Sequence, residues 1–275
     1  MALVIEELDI DTLREVISLV HSATGISIPE HKKTMIKRRL SSRLRSHSIT
    51  SFKEYLSLVK KDNNELVHFI NMVTTNETNF FRTDRVWEYF EQIFLTDFLK
   101  HSAGKTLKMW SAASSTGEEG YSLAMSCEEF KQEHKCQLNY NVLGTDIASS
   151  VVSHAECGKY EGRNIDNLRK KNPYRLEKYF REKDGLYSIS PSLKSNTSFK
   201  VHNLFKVLDE PGSFDIIFLR NVLIYFTPVD QEIVIQNIEK KLSPEGILVI
   251  GESESLSRLD TKLKFVSPLV YKKCS

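Results

Sequence analysis

Residues 109–125 read MWSAASSTGEEGYSLAM. An apolar run ending at Trp110 gives way to small residues, one glycine and two glutamates, and then to apolar residues at helical spacing: a strand, a turn and a helix. A Walker loop needs a lysine between its glycines and the helix, and this turn has none. A full G-x-G-x-x-G is absent too, although the small side chains of SAASSTG still let a backbone approach a ligand closely. Glu118 and Glu119 open the helix. A helix N-terminus accommodates carboxylates well, but these two would repel a phosphate, so the tip favours a cationic ligand over a pyrophosphate. An isolated pair of this kind reads as helix-initiating acids; the next strand shifts the weight. LNYNVLGTDI closes on Asp146, and an acid ending the second strand of a Rossmann-like unit commonly takes ribose hydroxyls. A small-residue turn, an acid and a ribose acid, with no phosphate device, describe a nucleoside without phosphates. S-adenosylmethionine is one, carrying a sulfonium, an amine and a carboxylate.

The flanking pattern supplies the architecture. After residue 105, LKMWSA, LNYNVLGTDI, FDIIFLRN and GILVIGES alternate with the helical EEGYSLAMSCEEF, ASSVVSHAE and VDQEIVIQNIEKKL. Such alternation implies a mostly parallel sheet covered on both faces, with ligands outside the carboxyl ends of its strands. DGLYSISPSLKSNTSFKVH, at 184–202, breaks the alternation and reads as a small antiparallel β insertion. Before residue 105 no strand pattern occurs. Ile10, Leu13, Ile17 and Val20 form one apolar stripe and Ile36, Leu40 and Leu44 another. Ser51 with Glu54 has the form of a capping box, and a fourth helix covers roughly 63–73.

The chain has 275 residues, 40% hydrophobic and 27% charged, enough for a sizeable core without staples. No apolar run approaches a membrane span. The start, MALVIEELDIDTLREV, lacks the basic region and cleavage site of a signal peptide. Cys127, Cys136, Cys157 and Cys274 form no C-x-x-C pair, which fits reduced thiols and a cytoplasmic location. No metal is expected. The net charge of +2 is unevenly spread: residues 31–61 hold ten Lys or Arg and one acid, Glu54. Lys32, Arg39 and Arg43 fall in a row beside the second stripe, the expected contact for an acidic partner.

TTNETNFFR at 74–82, WSAASSTGEEGYSLAM at 110–125, GTDI at 144–147, HNLF at 202–205, RNVLIYF at 220–226 and PEGILVIGESESL at 244–256 follow the order and approximate spacing of one family. On these motifs the chain resembles the CheR-type chemotaxis receptor methyltransferases over almost its whole length, the basic RRLSSRLRSHSITSFKEYL included. The resemblance implies an α/β fold: a Rossmann-like S-adenosylmethionine-dependent methyltransferase sheet domain at 79–275, the β insertion within it, and an all-helical, receptor-facing domain at 1–78. It implies that Asn76, Thr78, Arg82, Glu118, Asp146, Asn203, Leu204, Arg220 and Asn221 bind the cofactor, and that Arg82 and Tyr225 orient the reactants. The implied reaction methylates the γ-carboxylate of glutamates on a chemoreceptor's cytoplasmic helices and leaves S-adenosylhomocysteine. The enzyme is expected as a monomer whose row Lys32, Arg39 and Arg43 meets the receptor. Two departures stand out. Gly120 replaces the family's usual proline, which predicts a looser turn. The segment REKDGLYSI is shorter than the loop of members that dock on a receptor's C-terminal pentapeptide, which argues against such tethering.

Two other functions share these features. A methyltransferase of RNA or a small metabolite would use the basic helix on phosphates, but that helix lacks interleaved aromatics for base stacking. Asn172-Pro173-Tyr174 is one proline short of the NPPY motif of amine methyltransferases, and it precedes a helical stretch. A cofactor-sensing signalling module would bind without turnover; the presence of Arg82 and Tyr225 weighs against it.

Overall fold

The computed structural model describes residues 4–102 and 104–274, so the first three residues of the N-terminal stretch lie outside it. Helix α1 (Ile10–Thr24) begins where the Asp9 carboxylate accepts the Thr12 amide and ends at Gly25 in the left-handed region. Its buried stripe is Leu13, Val16 and Val20. Ile10 is 44% exposed and Ile17 only half-buried, while Val16 is fully buried, so the buried stripe is turned from the expected one. Helix α2 (Lys33–Ser46) buries Ile36, Leu40 and Leu44 as their spacing predicts. Ser51 does precede α3 (Phe52–Val59), but its side chain caps nothing, so the capping box does not form. Helix α4 (Asn63–Val73) is capped by Asp62. These four helices enclose a core of their own that includes Leu8, Phe52, Tyr55 and Phe69.

An irregular segment at 74–83 leads to α5 (Asp84–Glu88), a π-helical turn (Tyr89–Phe94) and α6 (Leu95–His101). Phe90, Phe94 and Phe98 recur every fourth residue and stack at 5.7 and 6.2 Å, and Phe90 and Trp87 hold the segment against the sheet through Phe218 at 5.8 and 5.9 Å. The sheet domain then runs β1 (Leu107–Ser111), α7 (Glu118–Glu133), β2 (Tyr140–Asp146), α8 (Ser149–Cys157), β3 (Lys159–Tyr160), α9 (Arg163–Lys171), α10 (Pro173–Tyr179), β4 (Phe180–Lys183), β5 (Leu186–Ile189), α11 (Pro191–Lys194), β6 (Thr197–Val201), β7 (Phe214–Leu219), α12 (Pro228–Lys241), β8 (Leu242–Ile250), β9 (Leu263–Ser267) and β10 (Val270–Lys273). Pro173 opens a helix, so the Asn-Pro-Tyr triplet closes no strand.

Seven strands form the main sheet in the order β6-β2-β1-β7-β8-β10-β9. The first five are mutually parallel, and β10 runs antiparallel to both neighbours. The order reverses between β1 and β7, so their carboxyl ends diverge and open a crevice. The small antiparallel sheet is β3-β5-β4. Its limits differ from the expected 184–202: LYSIS supplies β5, but SFKVH is β6, paired in parallel with β2. A five-residue strand reads the same in sequence whether its partner is a hairpin neighbour or a strand fifty residues away, so the pattern could not assign it.

The β6 strand also accounts for Gly120. The Phe199 ring lies across Gly117, Gly120 and Gly144, and a Cβ on Gly120 would come within 3.3 Å of it. Gly120 is buried in the helix. The helix thus packs here against an aromatic ring, and a Cβ at this position would require Phe199 to give by a few tenths of an ångström.

Candidate active site

The crevice is a cleft of about 1240 Å³ that includes its solvent-open mouth. The carboxyl ends of β1, β2, β6 and β7 form its floor through Ala112, Ala113, Asp146, His202, Asn203, Arg220 and Asn221. The segment 73–79 and Arg82 form one wall. Residues 24–29, with Lys32 and Met35, close it from the helical domain. The two parts are tied directly: the Ser27 amide donates to the Tyr225 carbonyl at 2.8 Å, and Asn203 Nδ2 donates to the Ala23 carbonyl at 3.1 Å.

Asp146 ends β2 with 8% exposure. Its Oδ2 accepts the Ser115 amide at 2.9 Å and its Oδ1 the Ala148 amide at 3.0 Å. Burial raises its pKa, and these amide bonds partly offset the rise. A carboxylate accepts about four hydrogen bonds, so Asp146 keeps capacity for a diol at the cleft floor. The two glutamates of the tip diverge. Glu118 is fully buried and absent from the cleft wall; its oxygens accept from Thr116 Oγ1 at 2.7 Å and Asn164 Nδ2 at 2.5 Å, and burial raises its pKa. It fastens α9 to the tip. Glu119 is the acid on the cleft. It accepts from Ser111 Oγ and from Arg220 Nη1, both at 2.8 Å. Adjacent helical residues point about 100° apart, and the sequence alone did not fix that phase.

Arg220 is 6% exposed, and its Nη2 donates to the Arg82 carbonyl at 2.8 Å. Its guanidinium thus braces the site while Arg220 also lines the cleft, and among the described residues its buried Nε has no hydrogen-bond partner. The Arg82 side chain donates to the Glu77 carbonyl at 3.1 Å, and Arg82 lines the cleft. Asn76 and Thr78 lie on the same wall, where the Asn76 carbonyl accepts Ser115 Oγ at 2.9 Å. Asn203 Oδ1 accepts the Phe205 amide, an Asx turn that leaves Leu204 on the wall. Tyr225, on a 3-10 turn (Leu223–Tyr225), lines the cleft, and among the described residues its hydroxyl has no hydrogen-bond partner. Four of the nine described non-glycine residues with positive φ are Phe81, Thr83, Ser115 and Asn221. All four stand on or beside this cleft, and such strain concentrates where surrounding structure over-determines a functional geometry.

The basic row is only partly available. Arg43 pairs with Glu65, which is 2% exposed and also accepts from His47 and the Tyr55 hydroxyl. Arg39 donates to the Val73 and Thr74 carbonyls at 3.0 and 2.9 Å, closing the end of α4. Of the three, Lys32 alone is exposed, and it stands on the cleft wall. The partners of the two arginines lie on another helix, beyond the reach of a helical-wheel argument.

The donor set suits a phosphate-free nucleoside: an acid with spare lone pairs at the β2 end, a second acid at the start of α7 that pairs with Arg220, small residues between, and no lysine in the turn. Residues 76–271 match the CheR methyltransferase, SAM binding domain, and residues 11–74 the CheR methyltransferase, all-alpha domain. The chain belongs to the CheR methyltransferase family. It is 33% identical to the chemotaxis protein methyltransferase of Borreliella burgdorferi over 273 residues, covering 96% of this chain and 94% of the relative. It is 34% identical to that of Escherichia coli over 265 residues, covering 94% and 89%, and 35% identical to that of Listeria monocytogenes over 232 residues, covering 84% and 85%. The matched domain over residues 76–271 is this family's S-adenosylmethionine-binding domain, and the fold is that of a Rossmann-like methyltransferase. All four cysteines are free thiols, and among the described residues no helix is long and apolar enough to cross a membrane.

Proposed function

We propose that the chain methylates glutamate side chains on the cytoplasmic helices of chemoreceptors, yielding γ-glutamyl methyl esters and S-adenosylhomocysteine. The observation that carries this reading is the state of the acids on the cleft. Glu77 pairs with Arg163, Glu119 with Arg220, and Asp146 accepts two amides while keeping lone pairs for a ligand, so each has a bracing or binding part, and the reading asks none of them to act as a general base. A glutamate needs none, because with a pKa near 4.3 it arrives ionised.

Bound S-adenosylmethionine supplies an electrophilic methyl group on a sulfonium. Asp146 takes the ribose hydroxyls, and Glu119, in place of Glu118, is the acid nearest the cationic end. Asn76, Thr78, Asn203, Leu204 and Asn221 complete the walls. Arg82 and the Tyr225 hydroxyl orient the incoming carboxylate, which is where positioning contributes most. Ile26, Ile28, Met35 and Phe226 keep water from the cleft, and exclusion of water favours a reaction that neutralises charge. Lys32 at the wall, with the outward Arg38 and Arg45, attracts the acidic receptor segment; Arg39 and Arg43 serve it by holding α2 in place. The 79–275 sheet domain carries the chemistry and residues 1–78 the receptor contact.

Incubation with methyl-labelled cofactor, a receptor cytoplasmic fragment and RNA tests the reading. Base-labile label on the receptor fragment is expected. Label on RNA, or tight cofactor binding with no transfer to the fragment, would overturn it in favour of a nucleic-acid methyltransferase or a sensor module.

A further inference from the structure

The turn that carries Asn221 and Tyr225 is held by a residue outside the cleft. Glu254, in the segment after β8, is 9% exposed. Its Oε2 accepts the Asn221 amide at 3.0 Å and the Gly251 amide at 2.6 Å; its Oε1 accepts the Val222 and Leu223 amides at 2.8 and 2.7 Å. Three consecutive main-chain N–H groups of the turn thus converge on one side chain. Such convergent amides form an anion-binding concavity, here filled from within the chain. Among the described residues no cation pairs with Glu254, so the backbone amides alone balance its charge.

The arrangement is closely built. A Cβ on Gly251 would stand 2.7 Å from Glu254 Oε2 and 2.8 Å from the Asn221 nitrogen, so only glycine lets the two segments approach. Asn221 has φ +58, a conformation that needs outside support. At the far end of the turn, Gln231 Nε2 donates to the Leu223 carbonyl at 2.9 Å and the Ser27 amide to the Tyr225 carbonyl at 2.8 Å. The near end rests on Glu254.

We propose that Glu254 is a positioning residue for methyl transfer, its carboxylate fixing the Asn221–Leu223 backbone and thereby the place of Tyr225 in the cleft. The proposal rests on the orienting role given to Tyr225 above. Glu254→Gln keeps size and shape but turns an amide NH2 against two N–H donors. The variant should slow single-turnover methyl transfer about tenfold or more, since a displacement near 1 Å can cost about a hundredfold, and should weaken cofactor binding through Asn221 by a smaller factor. Tyr225→Phe should then cost little further rate in the Glu254→Gln background, because two residues acting through one geometry are not additive. Gly251→Ala, which crowds the same contact and leaves the carboxylate in place, should reproduce the pattern and guards against a folding defect in the first variant. Hydrogen exchange at the 221–223 amides reads the geometry without turnover: slow in the wild type, fast in Glu254→Gln. Wild-type-like transfer in Glu254→Gln, equal Tyr225→Phe losses in both backgrounds, or unchanged exchange would overturn the proposal. Loss of protection at 221–223 in Glu254→Gln, together with a wild type that methylates no receptor, would uphold the positioning of the turn and fault the functional reading instead.

Discussion

Replacing Asp146 with alanine removes the acceptor that the fold places at the floor of the cleft. Each of its oxygens already accepts one amide, which leaves about one lone pair per oxygen for the two ribose hydroxyls. Hydrogen bonds to a charged group contribute about 1.5–3 kcal/mol, so Asp146→Ala should weaken binding of S-adenosylhomocysteine by roughly one to two decades. The substitution also strands the buried Ser115 and Ala148 amides, so a loss of affinity alone could reflect a disturbed turn. A ligand-side control separates the two. Calorimetry with S-adenosylhomocysteine and with an analogue lacking the ribose hydroxyls, on wild type and variant, forms a thermodynamic cycle. The wild type should discriminate the two ligands by about the same one to two decades, and Asp146→Ala should scarcely discriminate them. If the penalty for losing the hydroxyls is equal in both proteins, Asp146 does not hold the ribose and the reading of the β2 end is wrong.

Tyr225→Phe should lower single-turnover methyl transfer by about one to two decades, the equivalent of one orienting bond of roughly 1–3 kcal/mol, with cofactor affinity unchanged; a normal rate would leave alignment to Arg82. Glu119→Gln should weaken cofactor binding about tenfold, whereas Glu118→Gln should stay within about twofold; the reverse order in calorimetry would show that the helix phase has been misread. Burial pushes the Glu65 carboxyl up, but hydrogen bonds from Arg43, Tyr55 and His47 outweigh it and hold its pKa at about 2, against 4.5 for a free glutamate. The folded value lies below the unfolded one, so this contribution, about 3 kcal/mol, is complete above pH 4.5 and is lost as pH falls from there toward 2. Denaturant titrations across that window should show the slope in wild type and not in Glu65→Gln; equal slopes would remove Glu65 from the account.

The sheet domain was legible because β1, β2, β7 and the second half of β8 are largely buried on both faces and close on small or polar residues, and because the acids that matter sit at or just beyond those closures. The fourth helix expected at roughly 63–73 is α4 (Asn63–Val73). What escaped the sequence depends on contacts between distant segments. SFKVH joined β2 and not its neighbour LYSIS. Glu118 turned inward to Asn164 while Glu119 reached the cleft. Arg39 and Arg43 found partners on and beyond α4, so a row that looks solvated on a helical wheel is largely internal. Helix α5 and its π turn went unread, although Phe90, Phe94 and Phe98 carried the signal. Glu254 lay inside a quoted motif, but nothing in GESESL says that its carboxylate gathers three amides from the turn after β7.

The central claim is that the acceptor is a glutamate carboxylate that arrives ionised and needs no base. Mass spectrometry of a receptor cytoplasmic fragment after reaction, with and without mild alkali, tests it most directly. The account predicts a single methyl group on glutamate side chains that alkali removes, and no product when those glutamates are replaced by alanine. An alkali-stable methyl group on lysine, arginine or a backbone amine, or an unmodified fragment in the presence of cofactor-saturated enzyme, would contradict it.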